Sequence, residues 1–193
     1  MSGRAALFLD RDGVINLDRD YVCSRSDFEF LPGILDLVRA AKGYGYAVFV
    51  VTNQAGIGRG YYTEQDFLEL TQWMCGVFEL EGAAIDKVYF CATHPEHGLG
   101  AYKVESVFRK PGPGMILQAA REFQLDLSRS ILVGDKATDI AAGVAAGVGC
   151  NVLFCAQAAL AATNVLAASG VVTRLEQVIP LLRALALGHS KTA

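Results

Sequence analysis

Two aspartates directly after an apolar stretch are the residues of this chain best suited to chemistry. Asp10 and Asp12 follow the run 5–9, whose sequence Ala-Ala-Leu-Phe-Leu predicts a buried strand, and Gly13 favours a turn. Side chains at the carboxyl end of such a strand face the crevice where α/β sheets bind ligands. Two neighbouring carboxylates repel each other there, and a hard cation such as Mg²⁺ removes that cost while also binding phosphate oxygens. The pair therefore predicts a metal-assisted site for phosphoryl chemistry.

Other polar side chains follow two further predicted strands and precede one predicted helix. They are Thr52-Asn53-Gln54, Asp135-Lys136 and Arg109-Lys110. A doubly wound sheet gathers its strand ends along one edge, so these residues are expected in the same crevice as the two aspartates. Together they supply carboxylates for a metal ion, hydroxyl and amide donors, and cations. This combination suits the binding of a phosphate monoester with its metal. Hydride transfer is not indicated, because the glycines of 56–60 lack the spacing of a dinucleotide-binding loop.

Apolar runs alternate with helical patterns along the chain, which predicts an α/β fold with a mainly parallel sheet wound on both faces. After the first strand, the predicted strands are Tyr46–Val51, Lys87–Cys91, Ser130–Val133, Cys150–Phe154 and a short edge strand at Val171-Val172. The predicted helices are Gly33–Gly43, Thr63–Leu80, Gly114–Phe123, Thr138–Ala146 and Leu175–Leu187. The alanine-rich stretch 156–169 fits either helix or loop.

Length and composition narrow the class of protein. The chain has 193 residues, 52% of them hydrophobic and 19% charged, which suits one domain over 1–193 with a substantial core. The net charge is −3 and the sequence has no long basic run, so it does not predict a nucleic-acid-binding surface. No stretch is apolar enough for a membrane span or a signal peptide, and the cysteines form an odd set. We therefore expect a cytoplasmic monomer that binds a small phosphorylated metabolite.

Four motifs, in order, resemble those of the haloacid dehalogenase (HAD) superfamily of phosphatases. They are 10–14 (Asp-Arg-Asp-Gly-Val), Thr52 after an apolar strand, Lys110 before a helix, and 134–139 (Gly-Asp-Lys-Ala-Thr-Asp). The matches extend from about residue 7 to residue 154. The resemblance implies a Rossmann-like, three-layer α/β/α HAD fold with a minimal cap.

The resemblance also implies a role for each matched residue. Asp10 would attack phosphorus and become an aspartyl-phosphate, while Asp12 would protonate the leaving alkoxide and later activate water. Mg²⁺ would be held by Asp10, Asp135 and the backbone carbonyl of Asp12. Thr52 and Lys110 would bind the oxygens of the phosphoryl group in transfer. A carboxylate nucleophile divides one difficult displacement into two easier ones, which is consistent with this assignment.

Within the superfamily, the chain resembles the heptose bisphosphate phosphatases and their histidinol-phosphate phosphatase relatives. The similar segments are 52–60, 109–115 and 133–136. This resemblance implies hydrolysis of a small sugar bisphosphate, namely the 7-phosphate of D-glycero-D-manno-heptose 1,7-bisphosphate, with histidinol phosphate as the alternative. The implied substrate-binding residues are Asp18, Arg19, Asp20, Tyr21, Asn53, Gln54, Ala55, Arg109 and Lys136.

Alternatives remain for some of these residues and for the activity. Asp18 and Asp20 fit an exposed loop as well as a substrate contact. Lys136 fits a pair with Asp139, which is expected to orient Lys136 rather than to bind metal. A phosphate-binding regulatory protein without turnover would lack Asp10 or Asp12, and both are present. A phosphomutase would need a cap that excludes water, and no long insertion is visible.

The loop after the third predicted strand departs from the family pattern. Its relatives usually hold a structural zinc there with Cys-x-His and Cys-x-Cys. Here only Cys91 matches, His94 comes one place late, and 106–108 (Ser-Val-Phe) replaces the second pair. A closed tetrahedral zinc site needs four nitrogen or sulfur ligands, so a structural zinc is not expected.

Overall fold

The computed structural model describes residues 3–156 and 167–188, and a six-stranded sheet lies at its centre. The strands are β1 (Ala6–Leu9), β2 (Ala47–Asn53), β3 (Lys87–Cys91), β4 (Ile131–Gly134), β5 (Cys150–Phe154) and β6 (Gly170–Val172). They lie side by side in the order β3-β2-β1-β4-β5-β6, and every neighbouring pair is parallel. The predicted α/β class and parallel sheet are therefore confirmed.

Helices lie between consecutive strands from β1 to β5, as parallel crossovers require. Among the described residues the α-helices are α1 (Ile34–Gly43), α2 (Ala55–Gly58), α3 (Glu64–Leu80), α4 (Gly114–Phe123), α5 (Ala137–Ala146) and α6 (Ile179–Gly188). None of them combines the length and the apolarity needed to cross a bilayer. In the alanine-rich stretch predicted as helix or loop, residues 157–166 lie outside the described part of the chain.

Two segments differ from the predicted secondary structure. The helix predicted over 175–187 begins as a 3-10 turn, Leu175–Val178, before α6. Pro180 lies in the first turn of α6, where its missing amide hydrogen costs no helical hydrogen bond. The glycine-rich segment 56–60 is expected from its sequence to be a flexible turn, but its residues 56–58 lie in the single turn of α2.

The side chains of the sheet alternate between two apolar clusters, one on each face. Leu7 and Leu9 belong to the cluster that contains residues of α1, α3 and α6, whereas Ala6 and Phe8 belong to the cluster that contains residues of α4 and α5. The helices therefore form two layers that enclose the sheet. This is the expected three-layer α/β/α arrangement.

β1 lies at the point where the strand order reverses, which is where such sheets bind ligands. Leu9 is in register with Val50 of β2 and with Val133 of β4. The amide of Asp10 continues the ladder by donating to the carbonyl of Val133 at 3.1 Å. Asp10 is thus fixed between the ends of the two neighbouring strands.

Candidate active site

A cavity of about 220 Å³ lies at the carboxyl ends of β1, β2 and β4. Most of the predicted site residues line it, although they come from distant parts of the chain. Those residues are Asp10, Asp12, Asp18, Asp20, Tyr21, Thr52, Asn53, Gln54, Ala55, Arg109, Lys110 and Lys136. Two predicted residues do not line this cavity directly: Asp135, which lies behind Gly13, and Arg19.

A buried ammonium group joins two carboxylates at the floor of the cavity. Lys110 Nζ lies 2.8 Å from Asp10 Oδ1 and 2.6 Å from Asp139 Oδ1, and it donates to the carbonyl of Val51 at 2.9 Å. All three charged residues are buried. Asp139 Oδ2 accepts the backbone amide of Lys136 at 2.9 Å, whereas the Lys136 ammonium contacts Asp18, so Asp139 holds the backbone of Lys136 but does not orient its ammonium group. The partner of Asp139 is Lys110, which the fold brings to it from a different loop.

Burial perturbs the protonation of these groups. Desolvation raises the pKa of Asp10 to about 7, because the lowering effect of Lys110 is smaller and the charges of Asp139 and Asp135 raise it further. Desolvation likewise raises the pKa of Asp135 to about 6. Burial works against the charge of Lys110, yet Asp10 and Asp139 raise its pKa above the ordinary value. The ammonium therefore stays charged, but it compensates only part of the negative charge of the ionised acids.

The same acids have the geometry and charge of a cation site. One carboxylate oxygen from each of Asp10, Asp135 and Asp139 lies within 4.8 Å of the others, and Asp135 Oδ1 is buried without a hydrogen-bond partner. When ionised, the three carboxylates carry more charge than the ammonium groups of Lys110 and of Lys136, which lies 3.8 Å from Asp135 Oδ2, and a divalent cation compensates the excess. Oxygen donors of this kind are what Mg²⁺ prefers, so the residues fit Mg²⁺.

Gly13 allows the loop after β1 to approach Asp135 closely. Its φ is +90°, and a Cβ at this position would lie 2.3 Å from Asp135 Oδ2. Any side chain here would therefore displace Asp135 and strain the backbone. The glycine that the sequence assigns to a turn is needed to bring the first and last acidic motifs together.

Three side chains hold the carboxylate of Asp12 in place. Arg11 Nη2 donates to Oδ1 at 2.9 Å, Asn16 donates to Oδ1 at 3.0 Å, and Gln54 donates to Oδ2 at 3.0 Å. Arg11 is only 1% exposed and also donates to the carbonyl of Val22 at 2.7 Å. The buried guanidinium fixes Asp12 beside the cavity in a single orientation.

Gln54 connects Asp12 to the hydroxyl group predicted to bind phosphate. Its Nε2 also donates to Thr52 Oγ1 at 2.9 Å, and its Oε1 accepts from the Tyr62 hydroxyl at 2.6 Å. Burial is the main cause of the raised pKa of Tyr62, which therefore stays a donor. Gln54 lines the cavity, but its amide is used to position Asp12 and Thr52.

Asn53 has a similar positioning contact with the backbone of Lys110. Its Oδ1 accepts from the amide of Lys110 and its Nδ2 donates to the carbonyl of Lys110, both at 3.0 Å. The two hydrogen bonds join the end of β2 to the loop before α4. Lys110 is therefore held by its backbone as well as by its ammonium group.

The rim of the cavity is more exposed than its floor. Lys136 Nζ contacts Asp18 Oδ2 at 2.9 Å; burial opposes the charge of Lys136, but this hydrogen bond raises its pKa. Asp20 and Tyr21 both have left-handed backbone conformations, with φ of 56° and 55°. Such strain in non-glycine residues is typical of functional loops. Arg19 points away and pairs with Glu29 at the surface.

Sequence reasoning missed three residues of this site: Arg11, Asn16 and Tyr62. Arg11 and Asn16 lie within four residues of Asp12, so the strand-end position itself was the available signal. Asp139 was noticed but given a different partner. Nothing in the local sequence marks Tyr62, because its hydroxyl reaches Gln54 only after α2 turns the chain.

Comparisons with known proteins agree with this geometry. A family model described as HAD-hydrolase-like matches residues 107–173. The chain is 61% identical, over 92% of its length and 93% of the relative, to a D-glycero-alpha-D-manno-heptose-1,7-bisphosphate 7-phosphatase of Burkholderia mallei. It is 47% identical, over 78% of its length and 81% of the relative, to a D-glycero-beta-D-manno-heptose-1,7-bisphosphate 7-phosphatase of Vibrio cholerae.

A solved structure is also similar. The crystal structure of the D,D-heptose 1,7-bisphosphate phosphatase from B. bronchiseptica, complexed with magnesium and phosphate, has a TM-score of 0.80 and 28% sequence identity. The similarity covers 93% of this chain and 98% of that one.

Proposed function

The chain belongs to the heptose-1,7-bisphosphate 7-phosphatases of the HAD superfamily, and on that premise we propose that it hydrolyses the 7-phosphate of D-glycero-D-manno-heptose 1,7-bisphosphate. It is a phosphatase. The observation that carries the proposal is the buried Asp10–Lys110–Asp139 group, adjacent to Asp12 and Asp135. It provides a nucleophile, a phosphate-binding cation and metal-binding oxygens within one cavity.

In the first step, a carboxylate oxygen of Asp10 attacks phosphorus. The P–O bond to the sugar breaks as the bond to Asp10 forms, giving an aspartyl-phosphate. Lys110 holds Asp10 Oδ1 at 2.8 Å and leaves the other oxygen available for attack. Burial disfavours the charge of this carboxylate. Nearby positive charge is therefore needed to keep it ionised.

Asp12 has the position of a general acid and base. It lies on the cavity wall, where its proton would go to the leaving sugar oxygen, and it would then take a proton from the water that attacks the aspartyl-phosphate. The hydrogen bonds from Arg11, Asn16 and Gln54 keep it aimed at the cavity between the two steps. A fixed acid is more effective than a mobile one because its orientation is set in advance.

Lys110 and Thr52 would bind the oxygens of the phosphoryl group in transfer. Bound Mg²⁺, held by Asp10, Asp135 and the backbone carbonyl of Asp12, would neutralise the negative charge that develops on those oxygens. Asp139 completes the set by keeping Lys110 charged. Structural zinc has no part in this proposal.

The second phosphate of a bisphosphate needs cations outside the metal pocket. Arg109 and Lys136 line the same cavity as Asp10 and supply them. Arg109 offers a planar fork of donors that suits phosphate. We propose the alpha anomer as substrate, because the relative with 61% identity carries that anomer in its name, whereas the Vibrio cholerae relative at 47% is named for the beta anomer.

We also propose that the chain works as a cytoplasmic monomer with one domain over residues 1–193. The moderate net charge of −3 and the odd cysteine count support this setting. Size-exclusion chromatography with light scattering tests the monomer. Limited proteolysis that released two stable halves would contradict a single domain.

The substrate proposal is tested by phosphate release with Mg²⁺ from both anomers of the heptose bisphosphate and from histidinol phosphate. We expect the alpha anomer to have the highest kcat/KM. Faster turnover of histidinol phosphate would reassign the substrate while leaving the phosphatase in place. Equal, slow hydrolysis of every compound would contradict a heptose-specific enzyme.

A further inference from the structure

The loop between β3 and Arg109 is organised around one histidine. The amide of His94 donates to the carbonyl of Tyr102 and its carbonyl accepts from the amide of Gly98, both at 3.0 Å. Its imidazole Nδ1 accepts from the amides of Glu96 and His97, each at 3.2 Å. A single residue thus closes the turn through both its backbone and its side chain.

The two hydrogen bonds to His94 Nδ1 require a neutral imidazole in which Nδ1 carries no proton. A protonated Nδ1 is a donor and would face two further donors. Asn and Asp close turns with a side-chain oxygen that accepts amides two and three residues ahead, and His94 has that arrangement with a nitrogen instead. Replacing His94 with Asn would therefore keep a side-chain acceptor for the amides of Glu96 and His97.

The charges around His94 favour the neutral form. Burial lowers the pKa of His94, and so do the positive charges of Arg109 and Arg59, while Glu96 has a smaller opposite effect. The rings of His94 and His97 lie 4.6 Å apart. His97 itself is exposed and accepts no amide in the turn, which makes it a matched control.

The turn is attached to the cavity at two points. The carbonyl of Thr93 accepts from Arg109 Nη1 at 3.3 Å, so the turn supports the guanidinium that lines the cavity. The amide of Leu99 donates to the carbonyl of Gly58, in α2, at 2.8 Å. The Gly58 Cα lies so close to the loop that a Cβ would be 2.3 Å from the carbonyl of Ala92. The loop therefore has little freedom to move without moving Arg109.

We propose that His94 is a positioning residue: its unprotonated Nδ1 holds the 94–98 turn, and through Thr93 this turn aims Arg109 at the second phosphate of the substrate. This inference rests on the proposed function, because a second phosphate exists only in a bisphosphate. His94 touches neither the substrate nor the reacting atoms. Its loss should weaken recognition of the second phosphate and leave the chemical step unchanged.

The test compares His94→Ala, His94→Asn and His97→Ala on two substrates that differ only in the second phosphate, heptose 1,7-bisphosphate and heptose 7-phosphate. We expect His94→Ala to raise KM for the bisphosphate roughly tenfold, as loss of one charge-assisted hydrogen bond does, with kcat nearly unchanged. KM for heptose 7-phosphate should stay at the wild-type value. His94→Asn and His97→Ala should both keep the wild-type KM for the bisphosphate.

Three outcomes would overturn the proposal. Equal impairment of His94→Asn and His94→Ala would show that the acceptor atom is not what matters. A parallel rise in KM for heptose 7-phosphate would show a general disturbance of the site. One zinc per chain in the wild type, lost in His94→Ala, would show that a metal organises the loop.

A spectroscopic readout separates this proposal from the substrate assignment. If the wild type releases no phosphate from the bisphosphate, the proposed function fails, and NMR decides the role of His94 independently. His94→Ala should then speed hydrogen exchange at the amides of Glu96 and His97 and shift the side-chain N–H signals of Arg109. Unchanged exchange and unchanged Arg109 signals would overturn the positioning role.

Discussion

The floor and the rim of the cavity are built differently. On the floor, Asp10, Lys110 and Asp139 are each less than 8% exposed and contact one another directly. At the rim, Lys136 has a side chain 55% exposed; its short contact, at 2.9 Å, is with the partly exposed Asp18, and Asp135 lies farther from its ammonium group, at 3.8 Å. Water screens the charges of the rim but hardly those of the floor.

This difference separates chemistry from substrate selection. A buried group of charges is costly to change, because removing one partner leaves another charge without compensation. Exposed groups at the rim can change at little cost to folding. The floor therefore fixes the phosphatase reaction, whereas the rim is where relatives acting on different phosphorylated metabolites are expected to differ.

The largest effect is expected from Asp10→Asn on the floor. The amide cannot form an acyl-phosphate, so kcat should fall by roughly 10⁴-fold or more, as for other nucleophile replacements. Phosphate release from the heptose bisphosphate measures it. The exposed Asp36→Asn is the control and should keep wild-type kcat. Near-native turnover by Asp10→Asn would show that another residue is the nucleophile.

The next effect is a pH dependence of stability carried by the floor. The pKa values of Asp10 and Asp135 are raised from 3.8 to about 7 and about 6, so their contribution is complete below about pH 4 and is lost as the pH rises through those values. With a chelator present, we expect Asp10→Asn to gain stability relative to wild type between pH 5 and pH 8, on the order of a few kcal/mol.

Urea unfolding of both proteins at each pH measures this difference. Excess Mg²⁺ should reduce it, because the cation compensates the ionised Asp10 of the wild type. The raised pKa of Asp10 would be contradicted if the two proteins differed by the same free energy of unfolding at pH 5 and pH 8, with and without Mg²⁺.

A smaller effect is expected at the rim, from Lys136→Met. Loss of one cation near the second phosphate should raise KM for the bisphosphate roughly tenfold while leaving kcat nearly unchanged. The half-exposed pair with Asp18 should contribute less than about 1 kcal/mol to stability. Lys103→Met, on an exposed lysine away from the cavity, is the control. A large fall in kcat for Lys136→Met would instead place Lys136 in the chemical step.

The smallest effect is expected from Arg19→Ala. Its side chain pairs with Glu29 at the surface and does not line the cavity, so kcat and KM should both stay within roughly twofold of wild type. Steady-state kinetics with the heptose bisphosphate measures both. A strong rise in KM would show that the loop carrying Asp18 and Asp20 rearranges when substrate binds.

The fold was predictable because the apolar runs are local signals. Each strand begins within one residue of its predicted start, since four or five consecutive apolar residues are sufficient to mark a buried parallel strand. The start of α3 was also marked in the sequence: Thr63 accepts from the amide of Asp66, and Asp66 accepts from the amide of Thr63. Conversely, α2 was missed because its small residues carry little helical signal.

The site was predictable as a set of residues but only partly as a set of contacts. Asp10, Asp12, Thr52 and Lys110 were assigned to one cavity, and all four line it. The partner of Asp139 was assigned from its proximity to Lys136 in the chain. The structure pairs it with Lys110, because the first turn of α5, which carries Asp139, meets the loop before α4.

The order and type of residues at the strand ends determined the class of chemistry, since strand ends in a parallel sheet must meet at one edge. Tertiary structure decided which charges are buried together and which of them pair. It brought the backbone at Gly13 so close to Asp135 that a side chain there would not fit. It also decided that Arg109 rests on a turn held by His94. These contacts join residues far apart in the chain, and their energies depend on desolvation that exists only after folding.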